Sequence, residues 1–220
     1  KVNYWTGSQN KLFEEEFASY VDSKYAVALS NGTVALTSAY KSLGIGYGDE
    51  VITTPRTFIA TTSSILSLGA KAVFADISLD SGSITAESIE PLITKKTKAI
   101  SLVHLAGWPA DMVEICKLAK IYNLRIIEDC SQAHGAKIDG QSVGSFGDVS
   151  TWSFCQDKII TTGGEGGMVT TNDYELSKKI RRLRDHGAEI SDLQRHLGPK
   201  PFLLADHPDA GYNQRMTDIQ

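Results

Sequence analysis

Hydrophobic and polar positions follow two alternating periods along most of this chain of 220 residues. Apolar runs such as YAVALS and VITTP have the length of buried strands, and the segments between them place apolar residues three or four positions apart, as on one face of a helix. The first such helical segment covers residues 10–21, in which Phe13 and Phe17 lie one turn apart. Strands that alternate with helices predict an α/β fold with a mostly parallel central sheet and helices on both of its faces.

The same periods assign the remaining elements. Helices are expected over residues 33–43, 59–68, 87–93 and 110–122, and another is expected to begin near Thr217. Further strands are expected at KAVFADI, KAISLVHL, LRIIEDC, DVSTWSF and GMVTTND. Gly44 follows the second helix, where a left-handed cap is usual, and Asp111 precedes Met112, where an N-cap is usual.

No linker or low-complexity tract divides the chain. We therefore expect an amino-terminal helical segment over residues 1–24 and one large domain over residues 25–220. The sequence stops as its last expected helix begins, which suggests that it is a fragment of a longer chain.

Charge and cysteine content narrow the function classes. A formal net charge of -4, with scattered basic residues, argues against a nucleic-acid partner. No apolar run approaches the roughly 18 residues that a membrane span needs, so no membrane partner is expected. Three cysteines without CxxC spacing favour reduced thiols in a cytoplasmic protein, and the five histidines lack the spacing of metal ligands. The segment GIGYGD resembles a dinucleotide-binding loop but follows a helix and precedes a strand, which argues against a nucleotide-binding oxidoreductase.

Candidate chemistry gathers at the expected carboxyl ends of the strands, where open parallel sheets bind ligands. Asp129 ends the strand of IIEDCSQAHGA, and Lys158 follows the strand that ends in SF. Pyridoxal phosphate (PLP) enzymes need an amine to hold the cofactor aldehyde and a carboxylate to keep the ring nitrogen protonated. The pair predicts a PLP site, although a strand-end aspartate can also cap the next element and most lysines are solvated.

Other residues at these strand ends would complete such a site. Gly32 and Thr33 open a helix and can hold a phosphate, although residues of this type at a helix start are more often a plain N-cap. Ser153 on the strand before Lys158 can donate to the same phosphate.

Three more side chains would face the cofactor ring. Phe58 can stack on it, although a lone aromatic at a helix start is more often a core residue. Gln132 can hydrogen-bond the ring oxygen, and His134 can pack near the ring.

Six motifs then occur in a familiar order along nearly the whole chain. They are SNGTVAL, TPRTFIATT, IIEDCSQAHGA, GSFGDVSTWSF, a lysine followed by TTGGEGG, and GYNQRM. The chain resembles the DegT/DnrJ/EryC1/StrS family of PLP-dependent sugar aminotransferases, which have the fold-type I aspartate aminotransferase architecture. The resemblance implies that residues 25–220 are the PLP-binding large domain, and that a smaller carboxyl-terminal domain and the usual amino-terminal segment are missing from this sequence.

The resemblance also implies roles. Lys158 would form the Schiff base with the cofactor and move the proton, and Asp129 would pair with the pyridine nitrogen. Gln132 would touch the ring oxygen, Phe58 would stack on the ring, and Gly32, Thr33 and Ser153 would hold the phosphate. Asn213 would reach the phosphate of a neighbouring subunit, so that a homodimer shares its active sites, and Arg215 would help with substrate there.

The implied reaction transfers an amino group from glutamate to a keto carbon of a nucleotide-linked deoxysugar, for polysaccharide, lipopolysaccharide or antibiotic sugar biosynthesis. The sequence departs from the family pattern by one extra glycine, Gly163 or Gly164, which leaves the role of Glu165 open. A PLP-dependent sugar dehydratase and a non-catalytic regulator on the same fold remain as alternatives. Lys158 argues against dehydratases that carry histidine in its place, and the intact set of Lys158, Asp129 and Ser153 argues against the regulator.

Overall fold

The computed structural model describes residues 7–190 and 206–220. These residues contain six α-helices and nine strands. In chain order they are α1 (Ser8–Tyr20), β1 (Tyr25–Leu29), α2 (Gly32–Ser42), β2 (Glu50–Thr53), α3 (Ala60–Ser67), β3 (Lys71–Phe74), α4 (Ala86–Ile89), β4 (Thr97–Val103), α5 (Met112–Tyr122), β5 (Arg125–Asp129), β6 (Lys137–Ile138), β7 (Gln141–Ser142), β8 (Val149–Ser153), β9 (Gly167–Thr171) and α6 (Tyr174–Arg184).

Seven of the strands form one sheet in the order β1-β9-β8-β5-β4-β2-β3, and β6 and β7 form a separate hairpin. The pairs from β8 to β3 are parallel, whereas β9 runs antiparallel to both of its neighbours. The predicted mostly parallel sheet is therefore confirmed. Leu29 and Ser153 both pair with Gly167, which places the carboxyl ends of β1 and β8 beside each other across the start of β9.

Both faces of the sheet are covered, as the alternation of its side chains requires. On β5, Ile127 packs in a cluster with residues of α2 and α6, whereas Ile126 packs in a cluster with residues of α5. A third cluster joins Phe17 of α1 to Trp152 of β8. Helices α2 and α6 thus cover one face, and α1 and α5 cover the other.

The expected elements lie within three residues of the observed ones, with one correction. The helix expected over residues 87–93 is a short α4 followed by a 3₁₀ turn, Glu90–Leu92, because Pro91 lacks the N–H that a continuing α-helix needs. At the helix start expected near Thr217, Gln220 N donates to Thr217 O at 3.2 Å and closes one turn.

Helix α6 is missing from the sequence-based assignment, although its pattern is helical. Leu176, Ile180 and Leu183 recur at i, i+4 and i+7. Asp173 caps the helix by accepting from Glu175 N and Leu176 N. Within the described ranges, no helix is both long enough and apolar enough to cross a bilayer.

Candidate active site

Asp129 and Lys158 come from two neighbouring parallel strands and lie at the carboxyl-terminal edge of the sheet, where these strands end. Asp129 is the last residue of β5, and Lys158 lies five residues beyond the end of β8, which pairs directly with β5. Asp129 is buried, and the Lys158 side chain is 21% exposed. The fold therefore brings the predicted carboxylate and amine to the same edge.

The Asp129 carboxylate is held by two hydrogen bonds. Oδ1 accepts from Ser131 N at 3.1 Å, and Oδ2 accepts from Thr61 Oγ1 at 3.2 Å. Thr61 is fully buried near the start of α3, and its hydroxyl also contacts that of Thr57 at 2.9 Å. Sequence reasoning missed Thr61, because a threonine in TPRTFIATT carries no signal that it will meet a strand 68 residues away.

Glu128 points to the opposite face from Asp129, as the strand alternation predicts. Its fully buried carboxylate accepts from the backbone N–H groups of Gly144, Phe146 and Gly147 at 2.8, 3.0 and 2.6 Å. These bonds occupy the lone pairs that a ligand would need. Glu128 is therefore a structural anchor for the loop before β8.

His104, Glu128 and Cys130 lie close enough together to suggest a metal site, since their ligand atoms are all within 4.8 Å of one another. Hydrogen bonds already use these atoms. His104 Nδ1 accepts from Ala110 N at 3.1 Å, so Nε2 carries the proton and donates to Glu128 Oε2 at 3.0 Å. The cluster is satisfied as a hydrogen-bond network.

Lys158 has two polar neighbours, the charged Asp157 and the buried, neutral His134. Its Nζ is 3.3 Å from Asp157 Oδ1, and this hydrogen bond is the main cause of a lowered pKa for the exposed Asp157 carboxyl. The buried His134 ring packs 5.3 Å from Trp152 and 5.7 Å from Phe154. Burial, followed by the charge of Lys158, lowers the pKa of His134 to about 4, so the ring is neutral at physiological pH.

Neither ring nitrogen of His134 has a hydrogen-bond partner among the described residues. The nearby Ser153 backbone acts in the opposite direction and raises the His134 pKa, but it is not placed to form a hydrogen bond with the ring. His134 therefore places an unpaired polar ring next to the strand that leads to Lys158.

The start of α2 and the end of β8 bring several polar groups close together. Asn31 Oδ1 accepts from Val34 N at 2.9 Å, which confirms the N-cap interpretation of Asn31. A Cβ on Gly32 would lie 2.8 Å from Ser153 Cβ, so the helix start touches the strand end only because residue 32 is glycine. Among the described hydrogen bonds, none uses the N–H of Gly32 or of Thr33. Two N–H groups at a helix start therefore lie beside the Ser153 hydroxyl, an arrangement that suits an anion.

Phe58 and Gln132 lie on two other loops at the same edge. Phe58 follows β2 and is 69% exposed, so it is not the core residue that a lone aromatic would usually be. Gln132 Oε1 accepts from Ala106 N at 2.8 Å, which ties the loop after β5 to the loop after β4.

The glycine turn after Lys158 is anchored to the end of the described chain. Gly163 N donates to Gln220 O at 3.0 Å, whereas a Cβ on Gly164 would meet nothing within 4 Å. Glu165 Oε1 accepts from Cys155 Sγ at 3.5 Å, a thiol between Ser153 and Lys158. The extra glycine thus belongs to a turn that packs against residues 217–220.

Asn213 and Arg215 lie beside the carboxyl ends of β1 and α6. Asn213 is exposed and forms a backbone bridge with Asp185, and Ser30 N donates to the carbonyl of the next residue, Gln214, at 2.9 Å. Arg215 pairs with Asp185 and lines a cavity of about 650 Å³ between α1 and α6. The residues that line this cavity do not include Lys158 or Asp129.

Comparison with known proteins identifies the relatives of this chain. A family described as the DegT/DnrJ/EryC1/StrS aminotransferase family matches residues 2–220. A UDP-N-acetyl-3-dehydro-alpha-D-glucosamine 3-aminotransferase of Acidithiobacillus ferrooxidans is 44% identical, over 100% of this chain and 56% of the relative. A GDP-perosamine synthase of Escherichia coli O157:H7 is also 44% identical, over 97% and 55%. The chain thus spans little more than half the length of these relatives.

Solved structures agree with that family. The X-ray structure of an aminotransferase from Psychrobacter cryohalolentis has 54% identity and a TM-score of 0.92, over 99% of this chain and 55% of that one. A Bacillus subtilis protein described with bound cofactor PMP, the amino form of PLP, has 31% identity and a TM-score of 0.86, over 99% and 47%. The fold of these PLP-dependent enzymes is therefore also the fold of this chain.

Proposed function

The chain belongs to the DegT/DnrJ/EryC1/StrS aminotransferase family, and we propose that it transfers an amino group from glutamate to a keto carbon of a nucleotide-linked deoxysugar with PLP as its cofactor. One observation carries the proposal. Asp129 and Lys158 extend from neighbouring strand ends at the edge where the Gly32 turn meets Ser153.

The residues at this edge fit PLP. The cofactor has an anionic phosphate, a flat ring with a basic nitrogen, and an aldehyde that condenses with an amine. The N–H groups of Gly32 and Thr33 and the Ser153 hydroxyl suit the phosphate. Asp129 suits the ring nitrogen, exposed Phe58 suits the ring face, and Lys158 suits the aldehyde.

Bound PLP supplies an electron-accepting ring that stabilises the negative charge left when a carbon next to the amino nitrogen loses a proton. Asp129 keeps the ring nitrogen protonated, and Thr61 and Ser131 hold its carboxylate in place for this. Lys158 would take the proton from the donor carbon and deliver it on the other side of the amino nitrogen, and the same two transfers would run in reverse on the ketosugar. Neutral His134 adds no positive charge beside the amine.

The active unit is a homodimer in the cytoplasm, and each site takes one residue from the partner. Two observations on the single chain support this. Asn213 is exposed, and three apolar side chains, Phe58, Ile59 and Ile159, are each at least 66% exposed. Asn213 reaches the phosphate of the second subunit. A carboxyl-terminal domain beyond residue 220 completes the substrate pocket.

The test uses the full-length protein with added PLP and the Lys158→Ala variant. Wild-type protein should show the visible absorption band of lysine-bound cofactor, and borohydride reduction should add the cofactor mass to the peptide that contains Lys158. Glutamate should convert the cofactor to its pyridoxamine form. Lys158→Ala should lose the band and at least about 100-fold of the conversion rate, because it lacks both the amine and the proton carrier. Lys120→Ala, which changes an exposed lysine on α5, is the control.

Two results would contradict the proposal. An unchanged band in Lys158→Ala would remove Lys158 from its role. Failure of every amino donor with intact wild-type holoenzyme would favour the dehydratase or the regulator.

A further inference from the structure

The loop between β4 and α5 displays an indole ring at the same edge of the sheet. Trp108 is 65% exposed, whereas Trp152 is fully buried in the core. Both the anchoring and the position of this loop indicate what the exposed ring does.

The first half of the loop is fixed to the loop after β5. Ala106 N donates to Gln132 Oε1 at 2.8 Å, and a Cβ on Gly107 would lie 3.3 Å from Gln132 O. Ala106 and Gly107 have φ values of 53° and 79°, so two successive residues take the left-handed conformation, which is unfavourable for alanine. Such strain persists only where the surrounding contacts enforce it.

The second half of the loop is fixed to β5 itself. His104 lies at the start of the loop and Ala110 at its end, and Ala110 N donates to His104 Nδ1 at 3.1 Å. His104 Nε2 in turn donates to Glu128 Oε2 at 3.0 Å, next to Asp129. The indole is therefore displayed on a rigid support that is built on the strand carrying Asp129.

The strand order sets the position of the ring. Val103 at the end of β4 pairs with Asp129, and β5 separates β4 from β8. With strands about 4.8 Å apart, β4 lies roughly 10 Å to the side of β8. The loop that carries Trp108 thus leaves the sheet on the opposite side of Asp129 from the strand that leads to Lys158. The part of a substrate remote from its reacting carbon would extend to that side.

We propose that Trp108 is a substrate-binding residue whose indole stacks on the base of the nucleotide-linked sugar. The inference rests on the proposed function, since that function supplies a substrate with a flat base at one end and a keto carbon at the other. A base offers a π face that matches an exposed indole, whichever hydrogen-bonding groups it carries. Contact with the base would hold that end of the substrate beside the end of β4, with the keto carbon of the sugar toward Lys158.

The test compares Trp108→Ala, Trp108→Phe and Tyr47→Ala in full-length, PLP-loaded protein. Tyr47 is a matched control, because it is an aromatic residue, 95% exposed, that precedes β2 at the other edge of the sheet. Free UDP, GDP and dTDP are titrated by calorimetry. Trp108→Ala should weaken the binding of the preferred nucleotide about 10- to 100-fold, the range of aromatic–base stacking, and Trp108→Phe should recover most of the loss. Tyr47→Ala should bind as wild type does.

Kinetics separate this inference from the proposed function. Trp108→Ala should raise the KM for the ketosugar by the same factor and leave the glutamate half-reaction unchanged. Equal nucleotide affinity in Trp108→Ala and wild type, while wild type still aminates a ketosugar, would overturn only the role of Trp108. A parallel loss of the glutamate half-reaction would show that the loop is merely structural. A wild-type protein that neither binds a nucleotide nor aminates a ketosugar would contradict both proposals.

Discussion

At the scale of single residues, two adjacent carboxylates on β5 have different environments. The Glu128 carboxylate accepts hydrogen bonds from several protein groups, including three backbone N–H groups. Asp129 has a hydroxyl and one N–H, and it lies where the strand ends. Because successive side chains of a strand point to opposite faces, one carboxylate stabilises the loop before β8 and the other is available to a ligand.

His134 predicts a pH dependence of stability. The unfolded chain protonates this histidine with an ordinary pKa near 6.5, whereas burial and Lys158 lower its folded pKa to about 4. Between these values the unfolded state binds more protons. The contribution of His134 is therefore fully present above pH 6.5, and about 2–3 kcal/mol of it should be lost as the pH falls to 4. Urea unfolding at a series of pH values measures the effect.

Comparison of variants isolates the contribution of His134. His134→Leu should flatten the dependence of the unfolding free energy on pH between 6.5 and 4, because the titrating group is gone. His207→Ala, which removes an exposed histidine, should retain the wild-type slope. Equal slopes in wild type and His134→Leu would show that His134 titrates normally in the folded protein.

At the scale of elements, side chains of two helices cover the outer edge of β1. Ala28 N donates to Glu14 Oε1 at 2.8 Å, and Arg181 Nη2 donates to Ala26 O at 2.8 Å. Arg184 Nη1 donates to Ala28 O at 3.0 Å and to Glu14 Oε1 at 2.7 Å. An uncovered edge strand invites pairing with another chain, so α1 and α6 protect β1 in place of a further strand.

Removal of Glu14 should therefore destabilise the protein. Glu14→Ala would leave Ala28 N without its acceptor and two arginines without their buried anion, at a cost of about 2–4 kcal/mol in the free energy of unfolding. Chemical denaturation measures this cost.

The adjacent Glu15 is the matched control for Glu14. Its pair with Lys11, at 3.8 Å, is exposed on both sides, so Glu15→Ala should change the unfolding free energy by less than about 0.5 kcal/mol. A loss in Glu14→Ala no larger than in Glu15→Ala would show that the contacts of Glu14 do not stabilise β1.

At the scale of the whole molecule, the proposed shared site predicts complementation between subunits. In a dimer of one Lys158→Ala chain and one Asn213→Ala chain, both defects fall in one site and the other site is intact. The heterodimer should then have about half the activity of the wild-type dimer, whereas each homodimer variant has two impaired sites. Co-expression with two different tags, followed by tandem purification and an assay with glutamate, measures this.

The parent homodimers, purified in the same way, are the controls. A heterodimer with only the mean activity of its two parents would mean that Asn213 acts within its own subunit. Asn213 itself is well placed for the experiment, because the backbone of its neighbours donates to Leu183 O and Arg184 O and so holds the segment without the Asn213 side chain.

The sequence alone predicted the alternation of elements, the strand ends that carry Asp129 and Lys158, and the N-cap at Asn31. Each depends on local physics: the period of apolar residues, the alternation of a strand and the preferences of a helix start. Contacts between distant segments decided the rest. Thr61 meets Asp129 across 68 residues, Gln132 meets Ala106, and Ser153 lies so close to residue 32 that only a glycine fits there. Such pairs follow from the order and register of the strands, which a period along the chain does not specify.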